Sequence, residues 1–442
     1  MNRKLSILDA LLVGILLVIF GGVVLHAPLS VGLSTIWPEY ELYIKSWKEV
    51  LLGLALVLAI VILTLRRRWS IVKTKLIYLI ALFAALNLFL IPTYFTGFEA
   101  TVAGLFINLR FLLFFVLVYV AIRLYPPAHR LFLVTFIAGA LVVTVFAILQ
   151  VTVLPNDVLK YIGYNESTIV PYLTVDQNLN YIRINSTLRG PNPLGIYAGI
   201  ALVVVVVAWI RGRRKMTQNE QIIAGVIAAG SVVALWASYS RSAALAAAAA
   251  LAIVLLVVYG RRISKQLWIT IAVVGIVLTG SVVALRDTQL VSQVILHEDP
   301  SEGNDVNSND GHAESLRDGT RRMIQQPLGA GVGSTGSASL YGDSPLIIEN
   351  QYLFVAHENG WVGLALFAMI FYYVLMETWK RRARWLALAV FATGVGIAIA
   401  GLFLPVWVDD TVSIVWWGLA AMVLATPKVS SWVATVRAGA KK

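Results

Sequence analysis

The chain has 442 residues, of which 59% are hydrophobic and only 13% are charged, and its mean hydropathy is +0.80. A soluble domain carries roughly 25% charged residues, so this composition excludes a chain built from ordinary water-soluble domains. The net charge of +12 does not indicate nucleic-acid binding, because Lys and Arg fall in short clusters between apolar segments. The absence of cysteine excludes disulfides, zinc–thiolate sites and thiol nucleophiles.

Apolar segments of about 20 residues recur along the chain, which is the length that a helix needs to cross a hydrocarbon core ~30 Å thick. They predict an all-α, polytopic fold with about twelve transmembrane helices in a single integral membrane domain, residues 1–442. The first segment is interpreted as a retained helix rather than a signal peptide, because no small-residue cleavage site follows it. The spans are predicted near residues 6–26, 48–65, 76–96, 101–122, 130–153, 193–210, 221–238, 242–259, 266–285, 350–376, 384–404 and 410–426.

Basic clusters occur at every second connection between these spans, which is the pattern of cytoplasmic loops. It predicts that both termini are cytoplasmic and that two long segments, 154–192 and 286–349, lie on the outer side. The second long segment contains a predicted helix at about 311–326, which Pro327 ends. The clusters are Arg66–Arg68, Arg211–Lys215, Arg261–Arg262, Lys380–Arg384 and Lys428–Lys442.

Three arginines are candidates for binding an anion at or near the membrane. Arg110 falls inside the fourth span, where a charge costs several kcal/mol unless it faces a polar cavity or a partner. Arg189 precedes a Gly-Pro helix start, and Arg241 lies in a serine-rich turn between two spans. A guanidinium can bind phosphate through two hydrogen bonds, and a helix start adds free N–H groups. The structural alternatives are a buried ion pair for Arg110, a plain turn for Arg189 and an interfacial anchor for Arg241.

Two residues of the second long segment are candidates for a general base. His312 stands at the start of the predicted helix, where a neutral imidazole can accept a proton. Glu349 stands at the membrane edge before the next span, where burial can raise the pKa of a carboxyl group. The alternatives are a loop histidine without a role and an acid that stabilises a helix N-terminus. Asp409 and Asp410 are interpreted as the cap of a span, so no metal site is predicted.

Further polar residues flank these two candidates and are assigned secondary roles in the site. On the predicted helix, Asp318 and Arg322 are four residues apart and can form an ion pair on a solvated face. The secondary site residues are Arg317, Arg321, Asn350 and Tyr352.

Four sequence segments occur in a fixed order: Asn185–Gly195, Ser238–Ser242, Gly311-His312 with Pro327–Gly333, and Asn350–Leu353 with Asn359–Leu364. Taken together over roughly residues 100–425, they resemble the O-antigen ligase and O-antigen polymerase superfamily of bacterial envelope glycosyltransferases. Many ligases of that superfamily have His before the Asn of the fourth segment, where this chain has Glu349. Both the ligase and the polymerase interpretation therefore stay open.

The resemblance implies an enzyme that transfers a glycan from undecaprenyl pyrophosphate to an acceptor hydroxyl, without a metal or other cofactor. The reaction would take place at the outer face of the bacterial cytoplasmic (inner) membrane, with membrane lipids around the chain, and inversion at the anomeric carbon is expected. The acceptor would be a glycan, a lipid or a protein. Arg189 and Arg241, with Arg110 as a third arginine, would hold the pyrophosphate, and His312 would belong to the site.

A different class of protein also has about twelve spans, namely a transporter or flippase of lipid-linked sugars. Such proteins usually show repeat symmetry and charged or small residues near the membrane midplane. Here the polar residues concentrate at one face and only Arg110 is deep, which favours an enzyme. The sequence contains no Walker motif, so the chain alone is not expected to use ATP.

Overall fold

The computed structural model describes residues 6–175, 178–260 and 308–426, with side chains from residue 314 onward in the last range. The predicted span at 266–285 and the basic clusters at 261–262 and 428–442 lie outside the described residues. In chain order the helices and strands are α1 (Ile7–Gly22), α2 (His26–Ile36), α3 (Glu41–Lys45), α4 (Trp47–Leu65), α5 (Lys75–Leu90), α6 (Phe98–Leu124), α7 (Ala128–Thr152), β1 (Leu173–Val175), β2 (Asn178–Arg183), α8 (Pro191–Gly212), α9 (Gln218–Ala237), α10 (Arg241–Tyr259), α11 (Ser308–Gln325), α12 (Gln351–Lys380), α13 (Trp385–Ala400) and α14 (Asp410–Ala425).

The fold is that of an all-α polytopic membrane protein, as predicted. Within the described residues, eight helical segments are long and apolar enough to cross a membrane. Three shorter apolar helices, α5, α13 and α14, accompany them. The 30 residues of α12 form two helical parts on either side of Gly360, whose φ of 65° is not helical, so α12 is kinked rather than straight.

The first helix is longer than the predicted span. After α1, a short 3-10 turn at Val23–Leu25 leads directly into α2, so the helical segment continues to Ile36. Pro28 lies in the first turn of α2, where its missing N–H removes no helical hydrogen bond. The apolar pattern alone did not reveal this extension, because histidine, proline, serine and glycine interrupt it after residue 25 while the helix continues.

The described basic clusters lie at one end of the helix bundle. Arg66, just after α4, pairs with Asp9 at the start of α1 across 2.8 Å. Arg381, just after α12, donates to the Val423 and Thr426 carbonyls at the end of α14, at 2.8 and 2.9 Å. The start of α1 and the end of α14 lie at the same end of the bundle, because a hydrogen bond from Thr411 to the Val23 carbonyl joins their other ends. The opposite end, where α8, α10, α12 and α14 begin, is called the site end below.

Small side chains allow the helices at the centre of the bundle to pack closely. The alanine-rich start of α10 is buried against α8 and α13, as its composition predicts. The buried alanines of α10 are Ala243, Ala246, Ala247 and Ala250.

The segment between α7 and α8 contains a small antiparallel sheet that the sequence analysis did not predict. β1 and β2 pair with Leu173 opposite Arg183. The segment also has a 3-10 turn at Val158–Ile162, which packs on α2 through Leu159 and Val31. The sheet ends at Arg183, and the chain then turns into the start of α8. The segment that contains Arg189 therefore lies at the site end.

Candidate active site

The turn that carries Arg189 is fixed on α7. The backbone N–H of Ser186 donates to Gln150 Oε1 at 2.7 Å, and Ser186 Oγ donates to the Val143 carbonyl at 2.7 Å. Ser186 adopts a φ of 49°, a left-handed conformation that an L-residue rarely takes without such support. Gln150 is itself buried. The turn is therefore ordered by α7 before any ligand binds, and it presents Arg189 as an exposed side chain.

Arg183, which the sequence analysis did not select, joins the Arg189 turn to the Arg241 turn. Its Nε donates to the Ser238 carbonyl at 2.9 Å, and its Nη2 donates to Asn192 Oδ1 in the first turn of α8 at 2.7 Å. The end of β2, the start of α8 and the turn before α10 are thus held together by one guanidinium. The distance along the chain from Arg183 to Ser238 explains why the sequence did not indicate this role.

Close contact between α8 and the serine turn reinforces this arrangement. A Cβ atom at Gly195 would lie 2.8 Å from Ser238 Oγ and 3.2 Å from Ser240 Cβ, so a larger residue would push the two elements apart. α8 begins at Pro191 and α10 begins at Arg241, so two helix N-termini stand side by side. Pro191 and Pro193 have no N–H, so α8 contributes chiefly the Asn192 N–H, and the start of α10 contributes the other helix N–H groups. Together with the exposed guanidinium groups of Arg189 and Arg241, they form an arrangement suited to binding a phosphate or pyrophosphate.

Arg110 lies in a buried cluster of charges rather than on an open surface. Its guanidinium contacts the Asp410 carboxylate, lies 3.5 Å from Glu49 Oε1 and donates to the Val408 carbonyl at 2.5 Å. Lys48 Nζ lies 2.7 Å from Asp410 Oδ2. The cluster balances two positive charges with two negative ones, which is how a membrane protein can tolerate buried charges. The role of Arg110 in pyrophosphate binding stays a prediction.

This charge cluster reaches the Arg189 turn through the residue before α14. Asp409 caps α14 by accepting the Val412 N–H at 2.9 Å, and the positive charge of Arg189 acts on its carboxyl group. Burial and the adjacent Asp410 carboxylate raise the pKa of Asp409 to about 6. The starts of α8 and α14 therefore lie close enough for their charges to interact.

The candidate bases lie on two elements in contact. The backbone N–H of Glu349 donates to Ser315 Oγ on α11 at 3.2 Å. His312 lies one helical turn before Ser315 on the same helix, although its side chain is outside the described part of the structure. The assignment of the base to Glu349 or His312 stays a prediction.

Asn350 and Tyr352 connect the start of α12 to the end of α13 and to the segment that follows it. Asn350 caps α12 by accepting the N–H groups of Tyr352 and Leu353, and its Nδ2 donates to the Leu402 carbonyl at 2.8 Å. The Tyr352 hydroxyl donates to the Ala398 carbonyl at 2.8 Å. Both side chains therefore position the end of α12 that faces the site.

Arg317 and Arg321 lie on α11 as exposed side chains. Their neighbours Arg322 and Asp318 form the ion pair that their spacing predicts, with Arg322 Nε 2.6 Å from Asp318 Oδ2. α11 packs along α12: a Cβ atom at Gly319 would lie 3.0 Å from Leu353 Cδ1.

The glycine-rich segment after α11, Pro327–Gly336, is called the glycine loop. It packs into a kink of α12 at Gly360, where φ is 65°. The kink frees carbonyl groups that a regular helix would use, and the His357 carbonyl accepts the Ala330 N–H at 2.6 Å. The Trp361 N–H donates to the Pro327 carbonyl at 2.9 Å. The loop and the helix thus complete each other's backbone hydrogen bonds.

Glu358 is a second residue that the sequence analysis missed. It is completely buried, and it accepts a hydrogen bond from Asn108 Nδ2 at 2.6 Å and from the Gly333 N–H at 3.0 Å. Asn108 Nδ2 also lies 3.1 Å from Asn87 Oδ1. This network joins α5, α6, α12 and the glycine loop. An acidic residue inside an apolar span was the available signal, because such a residue needs partners in the membrane.

Comparison with known protein families agrees with these motifs. Residues 226–368 match the family model described as O-antigen ligase. This part of the chain is similar to an O-antigen ligase domain. The matched range begins in α9, includes the Arg241 turn and the glycine loop, and ends within α12, whereas the Arg189 turn and Arg110 precede it. No curated protein sequence matches the chain.

The match confirms the resemblance to the O-antigen ligase and polymerase superfamily. Together with the apolar helices, it identifies a multi-pass membrane protein of the envelope glycosyltransferase type. Of the four sequence segments that suggested the superfamily, all except Asn185–Gly195 lie entirely within the matched range.

Proposed function

We propose that this O-antigen ligase domain protein transfers a glycan from undecaprenyl pyrophosphate to an acceptor hydroxyl on the outer face of the bacterial inner membrane. The single observation that carries the proposal is the adjoining starts of α8 and α10, which bring the Arg189 and Arg241 turns together. Arg183 holds the two turns in contact through Ser238 and Asn192. We propose an orientation in which the site end faces outward. The opposite end, where the basic clusters lie, then faces the cytoplasm, and both termini are cytoplasmic.

The reaction follows from where charge develops. An acceptor oxygen attacks the anomeric carbon of the donor while the bond from that carbon to the pyrophosphate oxygen breaks. The electron pair of that bond leaves with undecaprenyl pyrophosphate, and the acceptor proton passes to a base on the enzyme. Attack from the side opposite the leaving group inverts the anomeric carbon. Guanidinium groups and helix N–H groups around the pyrophosphate stabilise the leaving group, and such stabilisation is usually the largest catalytic contribution.

The base belongs to the acceptor side of the site, and Glu349 and His312 are the two candidates. Both are near the contact between α11 and the start of α12, where Glu349 donates its N–H to Ser315. The exposed Arg317 and Arg321 on α11 are then suited to bind the pyrophosphate or an acidic part of the acceptor. The acceptor is a glycan, a lipid or a protein hydroxyl, and the chemistry of the step is the same for each.

Arginine substitutions test the pyrophosphate site. We expect Arg189→Ala and Arg241→Ala each to lower the rate of glycan transfer by roughly 100-fold or more, because each removes a charged donor from the leaving group. Arg214→Ala is the matched control, since it removes an exposed arginine just beyond the far end of α8 and should keep full activity. The assay uses purified protein, an undecaprenyl-pyrophosphate-linked oligosaccharide and its acceptor. A folded Arg189→Ala protein that keeps full transfer activity would refute the proposal.

A second pair of variants separates the candidate bases. Glu349→Gln and His312→Gln keep the size of each side chain nearly constant and remove its basicity. The variant of the true base should lose roughly 100-fold or more in turnover while binding undecaprenyl pyrophosphate normally. Equal, small losses in both variants would show that neither group is the base.

A further inference from the structure

A large apolar groove lies beside the Arg189 turn. It has a volume of about 600 Å³, within the range of roughly 300–1,000 Å³ that is typical of ligand sites. α2 forms one wall, α7 forms the other, and the 3-10 turn at Val158–Ile162 adjoins them. Leu29, Val145, Leu149 and Ile162 are partly exposed apolar side chains on these walls. The groove is therefore suited to an apolar chain rather than to a sugar.

One polar group interrupts the apolar walls. Among the described residues that line the groove, Thr187 alone has a polar side chain. Thr187 is buried, with 7% of its surface exposed, and its Oγ1 has no hydrogen-bond partner within the described part of the chain. A buried hydroxyl without a hydrogen-bond partner is unfavourable, and a ligand oxygen at this position would accept a hydrogen bond from it. Thr187 thus marks a point in the groove where an apolar ligand should carry an oxygen atom.

The position of Thr187 in the chain links the groove to the candidate pyrophosphate site. Thr187 lies between Ser186, which is bound to α7, and Arg189, which is exposed at the start of α8. A ligand that fills the groove and places an oxygen at Thr187 has its next group beside Arg189. An apolar chain that ends in a pyrophosphate has this sequence of chemical groups.

We propose that the groove between α2 and α7 holds the isoprenoid tail of the polyprenyl pyrophosphate donor, with Thr187 donating to the oxygen that joins tail and pyrophosphate. This inference rests on the proposed function, because it takes the donor of that reaction as the occupant. The polyprenyl chain is favoured over a phospholipid, since two phosphates in a row match the two arginine-bearing helix starts. Because the tail comes from a lipid environment that is already apolar, its preference for the groove depends on close packing against the walls and on the hydrogen bond to Thr187.

Binding of three probes tests this inference with the purified full chain in nanodiscs: undecaprenyl pyrophosphate, undecaprenol and inorganic pyrophosphate. Val145→Trp fills the groove from α7 and should weaken the binding of undecaprenyl pyrophosphate and undecaprenol at least tenfold, leaving inorganic pyrophosphate unaffected. Thr187→Val removes only the hydroxyl and should weaken undecaprenyl pyrophosphate several-fold. Val232→Trp, on the exposed face of α9, is the matched control and should change none of the three affinities.

The outcomes separate the groove from the pyrophosphate site. If Val145→Trp binds undecaprenyl pyrophosphate as well as Val232→Trp does, the groove is not the tail site, whatever Arg189→Ala shows. If Arg189→Ala keeps its affinity for inorganic pyrophosphate while Val145→Trp no longer binds undecaprenol, the groove is supported as the tail site. The assignment of Arg189 to the pyrophosphate site is then wrong. If Val145→Trp does not fold, photo-crosslinking of the wild-type chain with a photoactivatable undecaprenyl pyrophosphate tests the groove instead. Crosslinks in residues 25–29, 141–149 or 158–162 support the groove, and crosslinks confined to other parts of the chain overturn it.

Discussion

Arg183 illustrates at the scale of a single residue how the site is assembled. One guanidinium binds a backbone carbonyl before α10 and a side-chain amide in α8, and it lies at the end of a strand. Because guanidinium N–H groups are fixed in a plane, such bonds set the relative position of the segments they join. The two turns that carry the proposed pyrophosphate-binding arginines are thus held in place by a third arginine, which has a structural role.

Arg110 gives a prediction about stability. In Arg110→Leu, the buried Glu49 and Asp410 carboxylates keep only Lys48 as a cation, and we expect the free energy of unfolding to fall by about 3 kcal/mol. Removing one carboxylate as well, in Arg110→Leu with Asp410→Asn, should restore part of this loss. Chemical unfolding in detergent, followed by tryptophan fluorescence, measures both.

The same double variant distinguishes the two roles considered for Arg110. If Arg110 serves only to balance the cluster, the stabilised double variant binds inorganic pyrophosphate as the wild type does. A stable double variant that no longer binds pyrophosphate would show that Arg110 is a ligand for it.

The sequence predicted some individual residues well and missed others for a physical reason. Arg110 was predicted to have a functional role or a buried partner because a charge in an apolar span is costly. Asp318 and Arg322 were predicted to form an ion pair because helical spacing brings them together. The partners of Arg110 come from positions 49 and 410, and Arg183 reaches position 238, so these contacts depend on how distant helices pack. Periodicity within one segment contains no information about such contacts.

At the scale of elements, the hydrocarbon thickness made the helices predictable. α4 was predicted at 48–65 and is found at Trp47–Leu65, because an apolar run of that length has few other stable conformations in a membrane. The connecting segments were less predictable. The sheet of β1 and β2 is short, and the glycine loop combines glycines at positive φ with contacts to α6 and α12 that come from distant parts of the sequence.

The glycine loop gives a prediction at this scale. Gly333 has a φ of +85°, and a Cβ atom there would lie 2.1 Å from the Ala100 carbonyl oxygen. We expect Gly333→Ala to lower the free energy of unfolding by about 2 kcal/mol or more and to reduce glycan transfer, because the loop would separate from α6. Gly225→Ala, in α9 where no atom lies within 4 Å of the added methyl group, is the control and should be stable. Equal stabilities of the two variants would contradict this account of the loop.

At the scale of the whole molecule, the distribution of charge predicts the orientation in the membrane. Because the chain has no cysteine, single cysteine variants report accessibility without background. Asp343→Cys lies at an exposed position in the segment before α12, and Gln218→Cys lies at an exposed position at the start of α9. In cells whose outer membrane is permeabilised and whose inner membrane is intact, a membrane-impermeant maleimide should label Asp343→Cys. It should label Gln218→Cys only after the inner membrane is also permeabilised. The reverse labelling pattern would contradict the proposed topology and indicate the opposite orientation.

We propose that this molecule joins a glycan to an acceptor and does not move a lipid-linked glycan across the membrane. The most direct measurement uses proteoliposomes that contain the purified chain, a radiolabelled undecaprenyl-pyrophosphate-linked glycan and an acceptor, without ATP. We predict that label appears on the acceptor, that free undecaprenyl pyrophosphate is released in equal amount, and that Arg189→Ala and Arg241→Ala each slow both by roughly 100-fold or more. If the donor stays intact and only changes leaflet, the protein is a flippase and the proposed glycan transfer is wrong.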